Sequence, residues 1–250
     1  MAYTFPQYKV VAETEGPHTT LDFALDSAVA VGERIDVLVS WGNNPDEAAG
    51  SMADDLGGGG SANVYTEATA CRTLDGTNSQ QVSRFTCIVT QAGTPTITWT
   101  LPGSRNWGGG FALVITGAGD VDKTDSDFTV TTTPATPSVT PVEDGELILG
   151  LFSDSEGTLT DIDGDGAFTE IFVDVANRYQ AQYLDQTTAA AIVANWTITT
   201  GTGHGHVSVV TYKAAGGGIP ETGVEGMEIS DSVSYSVVLS PSTCRIVSTL

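Results

Sequence analysis

Short runs in which apolar and polar residues alternate dominate the chain. Ile97-Thr98-Trp99-Thr100-Leu101 and Trp196-Thr197-Ile198 place apolar side chains on one face only, the two-residue period of a half-buried strand. Denser apolar runs occupy residues 35–41, 111–116, 146–152 and 207–213. Gly, Pro, Asn and Asp punctuate them, the residues that supply turn geometry. No helical period is sustained; only 46–55 and 187–194 leave room for a helical turn or two. The pattern predicts an all-β fold.

Four anchors recur in the same order, which points to an internal repeat. Gly32-Glu33-Arg34-Ile35 opens an apolar run, as does Gly145-Glu146-Leu147-Ile148. Tyr65-Thr66-Glu67 is echoed by Phe168-Thr169-Glu170, and Ile97–Leu101 by Ala194–Ile198 around a shared Trp-Thr. Phe111–Ile115 is echoed by Val207–Thr211. The offsets are 113, 103, 97 and 96 residues, the shrinkage that loop trimming in the second copy produces. Each copy reads as about four strands: 35–41, 62–71, 84–90 with 97–101, and 111–116, then 146–152, 168–175, 179–184 with 192–199, and 207–213.

Strands with one wet and one apolar face pack as two sheets. The expectation is a two-sheet β-sandwich of jelly-roll type, built from two similar four-stranded halves at about 21–117 and 139–213, within a domain at 1–215. The Thr- and Pro-rich stretch 129–141 is either a linker or an extended edge segment. Residues 216–250 are a Gly linker, with its Gly run at 216–218, and an extended C-terminal β arm in which Val233–Val237 alternates as a strand. A piece this short cannot bury enough surface to fold alone, so it needs a partner. Homo-oligomerisation through the arm is the expected use.

Charge narrows the choices. There are 31 acidic against 9 basic residues, a net charge of −22. Such a chain is soluble and opposes the phosphate backbone of nucleic acid, so no nucleic-acid partner is expected. It suits a salty medium, where screening over about 8 Å weakens self-repulsion. No apolar run approaches the roughly 20 residues of a membrane-spanning helix, and no membrane association is expected. Met1–Lys9 has neither a basic region nor an apolar core of the kind export signals carry, so the expectation is synthesis and assembly in the cytoplasm. Cys71, Cys87 and Cys244 form neither a disulfide framework nor a zinc pattern.

The sequence Gly32-Glu33-x-Ile35 entering a strand, Ile97-Thr98-Trp99-Thr100-Leu101-Pro102-Gly103-Ser104-Arg105-Asn106-Trp107, and the run 111–117 leaving it resembles a β-sandwich module of tailed-phage virion surface proteins, also seen in bacterial extracellular proteins. Gly145-Glu146-Leu147-Ile148-Leu149 and Gln180-Ala181-Gln182-Tyr183 match that module's second half. The resemblance spans about residues 20–214 and rests on strand patterns, so no catalytic residue carries over. It implies a non-enzymatic virion protein, a capsid decoration or head-fibre subunit touching the major capsid protein or tail components. The alternative it leaves open is a receptor-binding adhesin for host glycans; a carbohydrate-active enzyme is more remote.

Few residues suggest chemistry. Asp161-Ile162-Asp163-Gly164-Asp165-Gly166 sets three carboxylates at alternate positions before a Gly, as calcium loops do, but Phe172 stands where an EF-hand has its bidentate acid. Asp161, Asp163 and Asp165 are therefore candidate calcium ligands or an acidic hairpin loop. His204-Gly205-His206 is half a metal site or a polar loop. Trp107, with Trp41, is the aromatic candidate for stacking on a sugar, while Trp99 and Trp196 read as core. No nucleophile elbow, phosphate loop or His-Glu-x-x-His motif is present.

Overall fold

In the computed structural model, residues 3–42, 48–57, 62–77, 79–155, 159–199 and 203–215 are described, together with the backbone of Tyr235–Ser240 and Thr243–Ser248. The chain divides into two compact units, Met1–Gly217 and Gly218–Leu250. Among the described residues there is no α-helix; the fold is an all-β two-sheet sandwich, as the alternation led us to expect.

The first sheet comes from β1 (Thr4–Ala24), β2 (Arg34–Gly42), β3 (Ser51–Asp54), β4 (Thr66–Glu67), β5 (Thr73–Asp75), β6 (Gln80–Ile88) and β7 (Thr96–Thr116). Its order is β1-β7-β2-β6-β4, with β3 on β7 and β5 on β6. The second takes β8 (Ala118–Val130), β9 (Glu146–Asp154), β11 (Thr169–Asp174), β12 (Tyr179–Gln186) and β14 (His204–Ala214), in the order β11-β12-β9-β14-β8. A small sheet pairs β10 (Asp161–Gly164) with β13 (Trp196–Thr199). Every pairing is antiparallel.

Each sheet is drawn whole from one half of the chain, so the halves are stacked rather than interleaved. They carry the same strand order, with β1, β7, β2, β6 and β4 answered by β8, β14, β9, β12 and β11. Each half thus has five principal strands, one more than the sequence suggested. Val37 pairs with Phe85 and Ala112, and Gly150 with Gln182 and Val209. Glu67 lies opposite Phe85 as Glu170 lies opposite Gln182. These pairings set the offsets at 113, 103 and 97, constant at 97 from β6 onward. The fourth anchor therefore aligns Ala112 with Val209, one residue away from the alignment on sequence. A one-residue slip turns every side chain to the opposite face, and faces decide: Ala112 and Val209 both point away from the other sheet, whereas Phe111 points toward it and Val207 away.

The Gly-Glu anchor has a local cause. Gly32 and Gly145 adopt φ of +88° and +79°, a region open to Gly at little cost. The next residue then folds its carboxylate back onto the turn. Glu33 accepts from the Ala30 amide at 2.8 Å and Glu146 from the Glu143 amide at 3.1 Å.

Among the strands that escaped the alternation reading are the two long ones at sheet edges. Strand β8 reads Ala-Gly-Asp-Val-Asp-Lys-Thr-Asp-Ser-Asp-Phe-Thr-Val, and β1 contains Pro6, Gly16 and Pro17. Charge and Pro guard an edge against unwanted pairing and hide its period. Within 46–55, Ser51–Asp54 form β3 and residues 48–55 hold no helical turn, 46 and 47 lying outside the described residues; 187–194 form no helix, and Ile192 bridges to Val139. The 129–141 stretch is the extended edge segment, since Ile198 and Trp196 donate their amides to the Thr132 and Pro134 carbonyls.

Three apolar clusters hold the layers. One lies between the sheets, around Leu38, Phe111, Leu113, Leu149, Leu151 and Tyr179. The outer face of the first sheet is covered around Trp41 and Trp99, whose rings meet edge to face at 5.6 Å. That of the second is covered around Phe152, Ile162 and Trp196. Trp99 and Trp196 hold matching places in these outer clusters, but Trp99 Nε1 donates to the Ala49 carbonyl at 2.5 Å while Trp196 Nε1 has no partner. In the second unit, β15 (Tyr235–Ser240) and β16 (Thr243–Ser248) make an antiparallel hairpin.

Candidate functional site: a polar seam between the sheets

The two sheets face each other about a pseudo-two-fold axis. Tyr8 of β1 stacks on Phe172 of β11 at 4.5 Å, and Phe111 of β7 meets Tyr179 of β12 at 5.7 Å. On the other side β6 lies over β14, and the turn at Thr69–Cys71 lies over β8, where Cys71 Sγ is 2.7 Å from Thr124 Oγ1. Edge β1 thus covers β11, the counterpart of β4, while the β4 side covers β8, the counterpart of β1. This is the arrangement of an isologous dimer, made within one chain.

One side of this interface is polar. Asp36 of β2 and Arg84 of β6 are fully buried and paired at 2.9 Å. Tyr212 of β14, in the opposite sheet, donates its hydroxyl to the second Asp36 oxygen and accepts from Arg84. Burial opposes the Arg84 charge, but the neighbouring Asp36, Tyr212 and Cys71 together outweigh it and raise the guanidinium's value. Burial raises the Tyr212 phenol well above its ordinary range. Arg34 covers the Tyr212 ring at 4.8 Å and donates to the Gly119 carbonyl. The Ser40 and Tyr179 hydroxyls meet at 2.7 Å.

Further along, β5 meets β14. Thr73 Oγ1 lies 2.7 Å from His206 Nδ1, and Asp75 takes His204 Nδ1 at 2.7 Å. Burial pushes the His206 imidazole down to about 3 despite the nearby Asp75 carboxylate, so it is neutral at neutral pH. Ser155 also donates to Asp75, at 2.7 Å. Serine and imidazole hang from the same carboxylate oxygen, whereas nucleophilic activation requires the hydroxyl to bond the imidazole. These hydrogen bonds cross-link the two sheets, those to the Asp75 carboxylate being charge-assisted.

The candidates read from sequence are dispersed. His204 and His206 are not in a polar loop; they lie on β14, at 7% and 1% exposure, facing the other sheet. Asp161 and Asp163 are exposed on β10, opposite Thr199 and Thr197. Asp165 lies in the following turn, where it accepts from the Ala167 amide at 3.0 Å and from Asn195 Nδ2 at 2.8 Å. Among the described residues no three His, Cys, Asp or Glu side chains gather as a metal site. Trp107 is 38% exposed, but Trp41 is buried at 1% and offers no sugar platform. Cys71 and Cys87 are buried free thiols, and burial pushes Cys87 up to about 12. Cys244 lies outside the residues with described side chains.

Sequence reasoning missed the seam because no local pattern joins Asp36 to Arg84 and Tyr212, which lie 48 and 176 residues away along the chain. The repeat held the missing signal. Arg34 and Asp36 alternate with Ile35 and Val37 as on a wet face, yet their counterparts are Leu147 and Leu149. A face apolar in one copy is a buried face in the other.

Comparison with protein-family models, with curated proteins and with solved structures finds no match.

Proposed function

We propose that this chain is a non-enzymatic structural subunit on the outer surface of a virus particle, made in the host cytoplasm and joined to other copies through its C-terminal hairpin. The observation that carries this reading is the contrast between body and hairpin. The body holds nearly all of the acidic excess, and its edge strand β8 presents Asp120, Asp122, Asp125 and Asp127. Two such bodies repel, and guarded edges resist strand addition. In the hairpin, Arg245 is the sole charged residue. Its backbone register pairs Val237 with Ile246 and Leu239 with Cys244. An isolated two-stranded hairpin is marginal in water; copies joined through their hairpins would stabilise one another in a symmetric assembly. The other partners in this reading are capsid or tail proteins, and the acidic body favours contact with the medium over contact with packaged nucleic acid.

Removal of residues 219–250 tests the reading. Sedimentation of the full chain is expected to show a discrete oligomer, and the truncated chain a folded monomer that no longer joins particles. Equal assembly by both chains would reject the hairpin as the attachment device. A monomeric full chain that cleaves glycans would reject the structural role. Binding to host glycans lost on Trp107→Ala would favour an adhesin, the one reading that the exposed Trp107 supports.

A further inference from the structure

Each half presents an inner face whose partner is a nearly equivalent face of the other half. A chain so built has competing solutions: the first sheet of one copy can pair with the first sheet of a second copy, and likewise for the second sheets. We infer that the polar seam is the device that makes each half select the other half and reject its own kind.

The register supplies the argument. In the repeat, Asp36 corresponds to Leu149, Arg84 to Ala181 and Tyr212 to Ile115. The three polar members sit on one side of the axis, while Leu149, Ala181 and Ile115 lie in the apolar core between the sheets. Were two first sheets to pair, Asp36 and Arg84 would face Ile115 instead of the Tyr212 hydroxyl. Thr73 would face Gly109, the counterpart of His206, and Ser40 would face Val82, the counterpart of Tyr179. Were two second sheets to pair, Tyr212 would point its hydroxyl at Leu149 and Ala181. Each wrong pairing leaves buried polar groups without partners, which is costly, and specificity arises from that difference. Ser153, the counterpart of Ser40, shows the penalty in place: it is buried and its hydroxyl has no partner.

The charged triad need not add stability for this to hold. Buried ion pairs often contribute nothing beyond well-packed apolar residues, and fixing register or partner is their best-attested use. The short joint between the halves makes the choice pressing. β7 ends at Thr116 and β8 begins at Ala118, with Gly117 between them at φ +89°, so exchange between copies requires change at one point.

The test is refolding of the full chain from denaturant over a range of concentrations, read by native mass spectrometry. The variant carries Asp36→Leu, Arg84→Ala and Tyr212→Ile, each the residue its counterpart has. Wild type is refolded alongside, so that association through the hairpin is common to both. The variant is expected to form additional dimers, in which like sheets pair, at about tenfold lower concentration than wild type, the effect of a little over 1 kcal/mol. If the triple variant does not refold, Tyr212→Phe, which removes one hydroxyl, takes its place with a smaller shift in the same direction. Refolding to the wild-type distribution of species, by whichever variant refolds, overturns the inference.

Discussion

On one side of the sheet-to-sheet interface Asp36, Arg84 and Tyr212 bury a bonded triad; on the pseudo-symmetric side Leu149, Ala181 and Ile115 hold the same backbone places in an apolar core. The strand orders match and the registers match. Yet one side takes charged groups out of water, which is costly, and the other gains from simple burial. The same scaffold therefore tolerates either solution. Cohesion between the sheets does not require polar residues, and their presence asks for another explanation, which selectivity between two similar faces supplies.

The comparison breaks most visibly where a single partner is removed. Arg84→Ala supplies the residue found at its counterpart but leaves the Asp36 carboxylate buried without its cation. A loss of about 3–5 kcal/mol is expected, read by denaturant unfolding. The full triple replacement restores the apolar pattern and is expected to cost far less, or even to stabilise by about 1–4 kcal/mol. A triple variant weaker than Arg84→Ala would show that the two sides are not equivalent in backbone or packing.

A second contrast sets His206 against Gly109. His206 is held neutral, with its value lowered from 6.5 to about 3 by burial. It faces Thr73 and packs on Phe128 at 4.8 Å; Asp75 and His204 are the charged or titratable groups that act on it. The unfolded chain takes up a proton near 6.5 that the folded chain refuses. The stability tied to the neutral imidazole is thus complete above about 6.5 and is lost as pH falls toward about 3. His206→Gln lacks this titration, so the stability advantage of wild type over the variant is expected to shrink between about pH 7 and pH 4. Parallel stability curves would mean that His206 is not held neutral by the fold.

How much of this could be read beforehand follows from what pairing does and does not write into a sequence. Gly32-Glu33 and Gly145-Glu146 were legible because a left-handed turn capped by a carboxylate needs those residue types in that order. Trp99 and Trp196 were legible because a large ring at an alternating position has few places to go. The register of β14 was not, because Val207-Ser208-Val209-Val210 is apolar on both faces and only its neighbours settle which face is inner. Strands β1 and β8 were hidden by the charge and Pro that protect edges. The seam was hidden by distance along the chain: Tyr212 meets an Asp 176 residues away, and no local pattern marks such a pair.

The coupling between Asp36 and Tyr212 tests the central claim most directly. A double-mutant cycle of Asp36→Leu and Tyr212→Ile, measured by equilibrium unfolding, isolates the interaction across the sheets. The account predicts that the two changes are far from additive, with a coupling of about 0.5–3 kcal/mol whose size changes when Arg84→Ala is already present, because Arg84 bonds both partners. Additive effects in both backgrounds would contradict it, for then the triad would not act as a unit and could not choose between the two faces.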